Sequence, residues 1–245
     1  MKKNNHLHFI IISTFFLLMI INIIWQNSAT NFITTVADKV LTKKHDNHNT
    51  NNTDNNLPSL NEKKRVALTF DDGPHPVYTL KLLEGLKQRG VKATFFVIGV
   101  NAVEHPEILQ KMSEDGHVIG NHTFSHVQLT CITENKATEE ISKTNEIIEE
   151  CTGKKVQYIR PPYGSLPKSL EAETNLTPVL WTVDPRDWSV LNTDSIVKHI
   201  LSCVKDGDII LLHDIFETSV DAALIIVDKL TKEGYEFVTV DELIH

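Results

Sequence analysis

This sequence is short of cysteine, has no cysteine pair at metal or redox spacing and carries no surplus of positive charge. Each shortage removes a class of function. Its three cysteines, Cys131, Cys151 and Cys203, are an odd number with no CxxC spacing, which excludes a zinc knuckle and a thioredoxin-type motif and allows one disulfide at most. Cys131 and Cys151 flank a segment of helical character, and twenty helical residues would hold their α-carbons roughly 30 Å apart, too far for a bridge. Free, buried thiols are the expectation. The net charge is −8, with 24 Lys and Arg against 32 Asp and Glu, and no basic stripe runs along any segment. That argues against a nucleic-acid partner, and no obligate protein partner is evident.

Polar side chains are nearly missing from Leu7 to Trp25, behind a basic start at Lys2 and Lys3. At helical rise this run is roughly 28 Å long, close to the hydrocarbon thickness of a bilayer, so residues 1–30 read as a membrane anchor or signal segment. The best cleavage exit, Asn27-Ser28-Ala29, lacks a small residue at its first position, which favours an uncleaved anchor. With the two lysines held inside, the remainder is expected to be extracytoplasmic, tethered to the membrane, or secreted if the segment is cut. Residues 31–62 lack the apolar content of a core and include the Asn-rich tract His45 to Asn56. They read as a flexible linker with a root-mean-square span of roughly 30 Å.

Residues 63–245 have a different texture. Short β-branched or aromatic runs alternate with amphipathic stretches, the pattern of parallel strands joined by helical crossovers. The pattern predicts about seven strand-helix units, among them a strand over Val179 to Val183 and a helix capped by Asp194. Seven units are too few for a closed eight-fold barrel, which leaves a compact, incomplete (β/α) barrel or an open doubly wound sheet. The unusual polar residues favour the barrel. Asp71 and Asp72, His122 and His126, Arg160 to Gly164, Asp184 to Trp188 and His213 all fall at C-terminal strand ends, which a barrel gathers on one face.

Two adjacent carboxylates at the end of an apolar strand are a costly placement of charge. Alternation along the strand points Asp71 and Asp72 in different directions, and Gly73-Pro74 then turns the chain. His122 and His126 stand at i and i+4, which on a helical turn lie on one face within reach of one ion. The glutamate of a HExxH site is missing after His122, so the base must come from elsewhere. One aspartate of the pair could complete a two-His, one-Asp metal triad with positions left open, while the other activates water. The residues alone do not say which does which.

Taken together, five segments resemble the motifs of the polysaccharide deacetylases of carbohydrate esterase family 4, the NodB-homology domain. They are Thr69 to Pro74, His122 to His126, Arg160 to Gly164, Asp184 to Trp188 and Leu211 to His213, and the resemblance covers about Lys64 to His245. It implies that Asp72, His122 and His126 bind a divalent metal, usually zinc, that Asp71 is the general base and that Arg160 pairs with Asp71. It further implies His213 as general acid with Asp187 adjusting its charge, the Tyr163 backbone N–H in an oxyanion hole, and Trp188 and Leu211 lining the acetyl pocket. The expected function is hydrolysis of the acetamide of N-acetylglucosamine units in a cell-surface glycan, peptidoglycan before chitin-like oligosaccharide, exopolysaccharide or acetylated xylan. Two other classes fit fewer residues. A catalytically inert glycan-binding module would not need an intact Asp71, Asp72, His122, His126 and His213, and an iron oxygenase with the same triad would be expected to show an all-β pattern.

Overall fold

The structure, a computed structural model, describes residues 63–244; the expected anchor and linker lie outside the described residues. The elements in chain order are β1 (Lys64–Asp71), α1 (Tyr78–Gln88), β2 (Thr94–Val97), α2 (Gly99–Glu104), α3 (Pro106–Glu114), β3 (Val118–Asn121), α4 (Glu134–Thr152), β4 (Tyr158–Ile159), α5 (Lys168–Thr174), β5 (Thr177–Pro178), α6 (Asp187–Val190), α7 (Thr193–Cys203), β6 (Ile209–His213), α8 (Glu217–Lys232), β7 (Tyr235–Val238) and α9 (Val240–Ile244). The seven strands make one sheet in the order β5-β4-β3-β2-β1-β6, with β7 paired to the first half of β1. Every pairing is parallel. The sheet curls without closing, as an incomplete (β/α) barrel.

Strand β1 sits at the centre and is buried on both faces from Val66 to Asp71, which is why it reads as a nearly continuous apolar run. Its parity sorts the core. Val66, Leu68 and Phe70 belong to the large cluster that includes Leu82, Leu83 and Leu86 of α1 and Ile226, Val227 and Leu230 of α8. Each such aliphatic or aromatic side chain contributes roughly 1.5–3 kcal/mol by leaving water. Ala67, on the opposite parity, packs with Phe96, Tyr158, Val179 and Val240 in a smaller second cluster. Thr69 and Asp71 share the parity of Ala67, so the strand carries its two buried polar side chains on the face away from the α1 and α8 core.

Three local expectations are corrected. The run Val179 to Val183 forms no strand; β5 is limited to Thr177–Pro178, and Val183 makes an isolated bridge to Ile210. The reason is Arg160, whose guanidinium donates to the carbonyls of Val179 at 3.0 Å and Leu180 at 3.2 Å. Those acceptors are thereby used by a side chain instead of a ladder. Helix α7 is capped by Asn192, whose Oδ1 accepts the Ser195 N–H at 2.9 Å, while Asp194 lies in the first turn, where its charge favours the helix dipole. The cysteines are free but not buried: Cys131 and Cys203 are exposed and Cys151 is half-buried, because all three lie at or near the ends of helical segments.

Candidate active site

The site begins where β1 ends. Asp71 still pairs in register with Phe96 and His213, but Asp72 leaves the strand with a φ of 75°. Strict alternation would send its carboxylate to the far face; the left-handed backbone instead brings both carboxylates towards His122. The Asn101 side-chain amide holds this turn by donating to the Asp72 carbonyl at 2.7 Å. Glycine is required next, since a Cβ on Gly73 would sit 2.3 Å from the buried Asp214 carboxylate.

The predicted helical turn over His122 to His126 is absent. The segment after β3 is a loop with two non-glycine residues in the left-handed region, Thr123 at φ 65° and His126 at φ 56°. Its carbonyls do not bond within a helix. Thr123 and Phe124 accept the Gly99 and Val100 N–H groups at the start of α2, each at 2.9 Å, and the Thr123 N–H donates to Asn121 Oδ1 at 2.7 Å. A Cβ on Gly99 would meet the Phe124 backbone at 2.9 Å, so the close approach of α2 to this loop needs glycine. The two rings nevertheless lie 5.0 Å apart.

Asp72, His122 and His126 offer one carboxylate oxygen and two imidazole nitrogens that all lie within 4.8 Å of one another. From Asp72 Oδ1 it is 3.4 Å to His122 Nε2 and 3.5 Å to His126 Nε2. Ligands bound at about 2.0–2.1 Å in a tetrahedral shell stand roughly 3.3 Å apart. Asp72 Oδ1 is buried with no hydrogen-bond partner among the described residues, an expensive state unless something cationic meets it. His122 Nδ1 is engaged by the Arg160 carbonyl, which fixes the tautomer that leaves Nε2 free to ligate. Burial shifts His126 below the ordinary imidazole value, which favours the neutral ring. Burial raises the Asp72 carboxyl, but His122, His213 and His126 around it outweigh that and the net shift is downward. The donor set fits a divalent cation.

Asp71 has its two oxygens in different environments. Oδ1 accepts from Arg160 Nη1 at 2.8 Å, and Oδ2 faces His122 Nε2 at 3.8 Å. Arg160 is fully buried, bonds also to Thr69 Oγ1 at 2.8 Å and lies over the Phe96 ring at 4.3 Å. Across the cleft, Asp187 is bidentate to His213: its Oδ2 accepts the backbone N–H and its Oδ1 pairs with Nδ1, both at 2.8 Å. Burial opposes a charged imidazolium at His213, but the hydrogen bond and charge of Asp187, with Asp71 and Asp72 beyond, overcome it and raise His213 to about 9.

These groups open on one cleft of about 470 Å³, lined by Asp71, Asp72, His122, His126, Tyr163, Trp188, Leu211 and His213. The two remaining residues singled out in the sequence, Arg160 and Asp187, lie buried behind Asp71 and His213. Tyr163 is held at φ 61° after Pro161 and Pro162 and its ring is mostly exposed, as is half of Trp188. Sequence reasoning missed Trp181 and Phe216, which also line the cleft. Phe216 lies edge-on to His213 at 6.3 Å, and its place three residues after that histidine was the available signal. Trp181 was hidden inside a stretch that read as a core strand.

The polysaccharide deacetylase family model matches residues 59–179. The chain is 42% identical over 181 residues to the peptidoglycan-N-acetylmuramic acid deacetylase PdaC of Bacillus subtilis (strain 168), covering 74% of this chain and 39% of that protein. It is 39% identical over 187 residues to the peptidoglycan-N-acetylglucosamine deacetylase PgdA of Listeria monocytogenes serotype 1/2a (strain 10403S), covering 76% of this chain and 40% of that protein. It thus spans about two fifths of the length of both relatives. The solved structure of the PdaC peptidoglycan deacetylase superposes with a TM-score of 0.73 at 42% identity, covering 74% of this chain and 90% of the solved one.

Proposed function

The chain belongs to the polysaccharide deacetylase family, and from that premise we propose that it is a metal-dependent hydrolase removing N-acetyl groups from N-acetylglucosamine units of peptidoglycan. The observation that carries the reading is the difference in surroundings between the two neighbouring carboxylates. Asp72 Oδ1 faces two imidazole nitrogens, whereas Asp71 is tied to Arg160 by one oxygen and free at the other. Asp72, His122 and His126 would hold the cation, with zinc the expected metal. When bound, a divalent cation supplies Lewis acidity towards a carbonyl oxygen and acidifies water.

The chain's own residues do the rest. Asp71 Oδ2 takes a proton from the water that attacks the acetamide carbon, with Arg160 fixing the carboxylate's orientation. The Tyr163 backbone N–H, presented by its left-handed turn, donates to the oxygen that gains charge. His213 Nε2 gives a proton to the departing nitrogen, because an amine cannot leave as its anion. The C–N bond breaks and acetate and a free amine result. Trp188 and Leu211 exclude water around the acetyl methyl. The apolar segment 7–25 would keep this domain in the layer just outside the membrane, where the glycan is.

The choice of sugar follows the N-acetylglucosamine name of the PgdA relative; removal of the acetyl group from N-acetylmuramic acid units is the second reading. The N-acetylmuramic acid name of one relative favours the second reading. Acetate release from muropeptides, chitooligosaccharides and acetylated xylan separates these: the greatest rate is expected on muropeptides, with the free amine on glucosamine. A free amine on the muramic residue would overturn the sugar assignment, and release from xylan alone would overturn the polymer.

The acid role of His213 predicts a pH profile. The imidazole is protonated below its raised value near 9, so kcat is expected to be lost as pH rises through about 9. The same shift stabilises the fold fully below the ordinary histidine value of about 6.5, and this stabilisation is lost as pH rises through about 9. Asp187→Asn keeps the shape but removes the charge, and should move the alkaline limb of kcat down towards about 6.5. An unmoved limb would assign that limb to another group.

A further inference from the structure

We propose that Glu140, on helix α4 and outside every segment that carries the family resemblance, is a positioning residue that presets His126 for the metal. The proposal rests on the reading of Asp72, His122 and His126 as a metal site. His126 must hold a left-handed backbone at φ 56°, a conformation that costs a non-glycine residue on the order of 1–3 kcal/mol and persists only where neighbours impose it. Its predecessor is where that imposition is found. Ser125 gives its N–H to Glu140 Oε2 and its hydroxyl to Glu140 Oε1, both at 2.8 Å. Two bonds to one carboxylate fix Ser125, the residue before His126, through the Phe124–Ser125 peptide and through its own side chain, and a charged acceptor makes each of them stronger than a neutral one.

The same stretch of α4 grips the loop at further points. The Ile141 carbonyl and Asn145 Oδ1 both accept from the Asn121 side-chain amide at 2.8 Å, and that amide's oxygen holds the Thr123 N–H. Lys143 Nζ lies 3.5 Å from the centre of the Phe124 ring. These contacts serve the His122 end of the loop; Glu140 is the contact at the His126 end. His126 is also the more exposed histidine, its side chain 33% accessible against 4% for His122, so packing alone constrains it less. The clamp therefore acts on the ligand that has least else to hold it.

The test is zinc affinity, measured by competition with a chromogenic chelator on the full chain as wild type, Glu140→Ala and Glu140→Gln. Removal of a group that orients a metal ligand typically weakens affinity by 10–100-fold; for Glu140→Ala, acting through Ser125, the lower end is expected, about tenfold. Glutamine can still accept the N–H and can donate to the hydroxyl, so Glu140→Gln should stay within about threefold of wild type. At saturating zinc, kcat of Glu140→Ala should return to near the wild-type value. Unchanged affinity in Glu140→Ala, or equal weakening in both variants, would overturn the proposal. If Glu140→Ala fails to fold, Ser125→Ala removes one of the two bonds from an exposed residue and should weaken zinc about threefold; no change there overturns it equally. Wild-type chain that binds no zinc would instead refute the metal site, a result distinct from a failed clamp.

Discussion

Asp71→Asn is expected to lower kcat by about a thousandfold, within the 10²–10⁴ range for loss of a general base, with KM little changed and the metal retained. The split follows from geometry. Asp71 Oδ1 is committed to Arg160 and Oδ2 alone faces the cleft, so the substitution removes a proton acceptor without removing a ligand. Asparagine preserves the volume and can still accept the Arg160 bond through its oxygen. The fully buried guanidinium loses its counter-charge, however, and a buried ion pair deprived of one partner is destabilised. A lower melting temperature should therefore accompany the lost turnover. Circular dichroism at the assay temperature distinguishes a folded, inactive variant from an unfolded one.

Asp72→Ala should be more severe and fail for a different reason. Asp72 Oδ1 is the atom nearest both imidazole nitrogens, and alanine leaves two histidines without the carboxylate. Two imidazoles alone do not complete the shell of a catalytic zinc, which takes three protein ligands. Acetate release should fall to background and the chain should be isolated without metal. Stability should change less than in Asp71→Asn, since no fully buried cation depends on Asp72 and its oxygen lacks a hydrogen-bond partner among the described residues. Activity at the wild-type level in this variant would remove Asp72 from the ligand set.

Much of this was legible in the sequence because the residues involved are close along the chain or sit at strand ends. Asp71 and Asp72 are adjacent, His122 and His126 are four apart, and in a curled parallel sheet the C-terminal ends of β1, β3, β4 and β6 share one rim. Alternation holds along β1 as far as Asp71, which shares a face with Ala67 and Thr69. Parity failed for Asp72, since a left-handed residue reverses the alternation. The i, i+4 spacing of the histidines carried the right pairing with the wrong backbone: a loop bonded to the amides of Gly99 and Val100 replaces the helical turn. What sequence could not supply depends on contacts between distant segments. Arg160 takes the carbonyls of Val179 and Leu180 from a strand that their β-branched neighbours predict, and Glu140 reaches Ser125 only because α4 packs beside the loop.

On the proposed mechanism, neighbouring aspartates at the end of one strand perform different tasks, one towards the metal and one towards water. Zinc stoichiometry of purified Asp71→Asn and Asp72→Ala, measured side by side with wild type, tests this division most directly. One zinc per chain is expected for wild type and Asp71→Asn, and essentially none for Asp72→Ala. Zinc lost from Asp71→Asn and kept by Asp72→Ala would contradict the account by reversing the two roles.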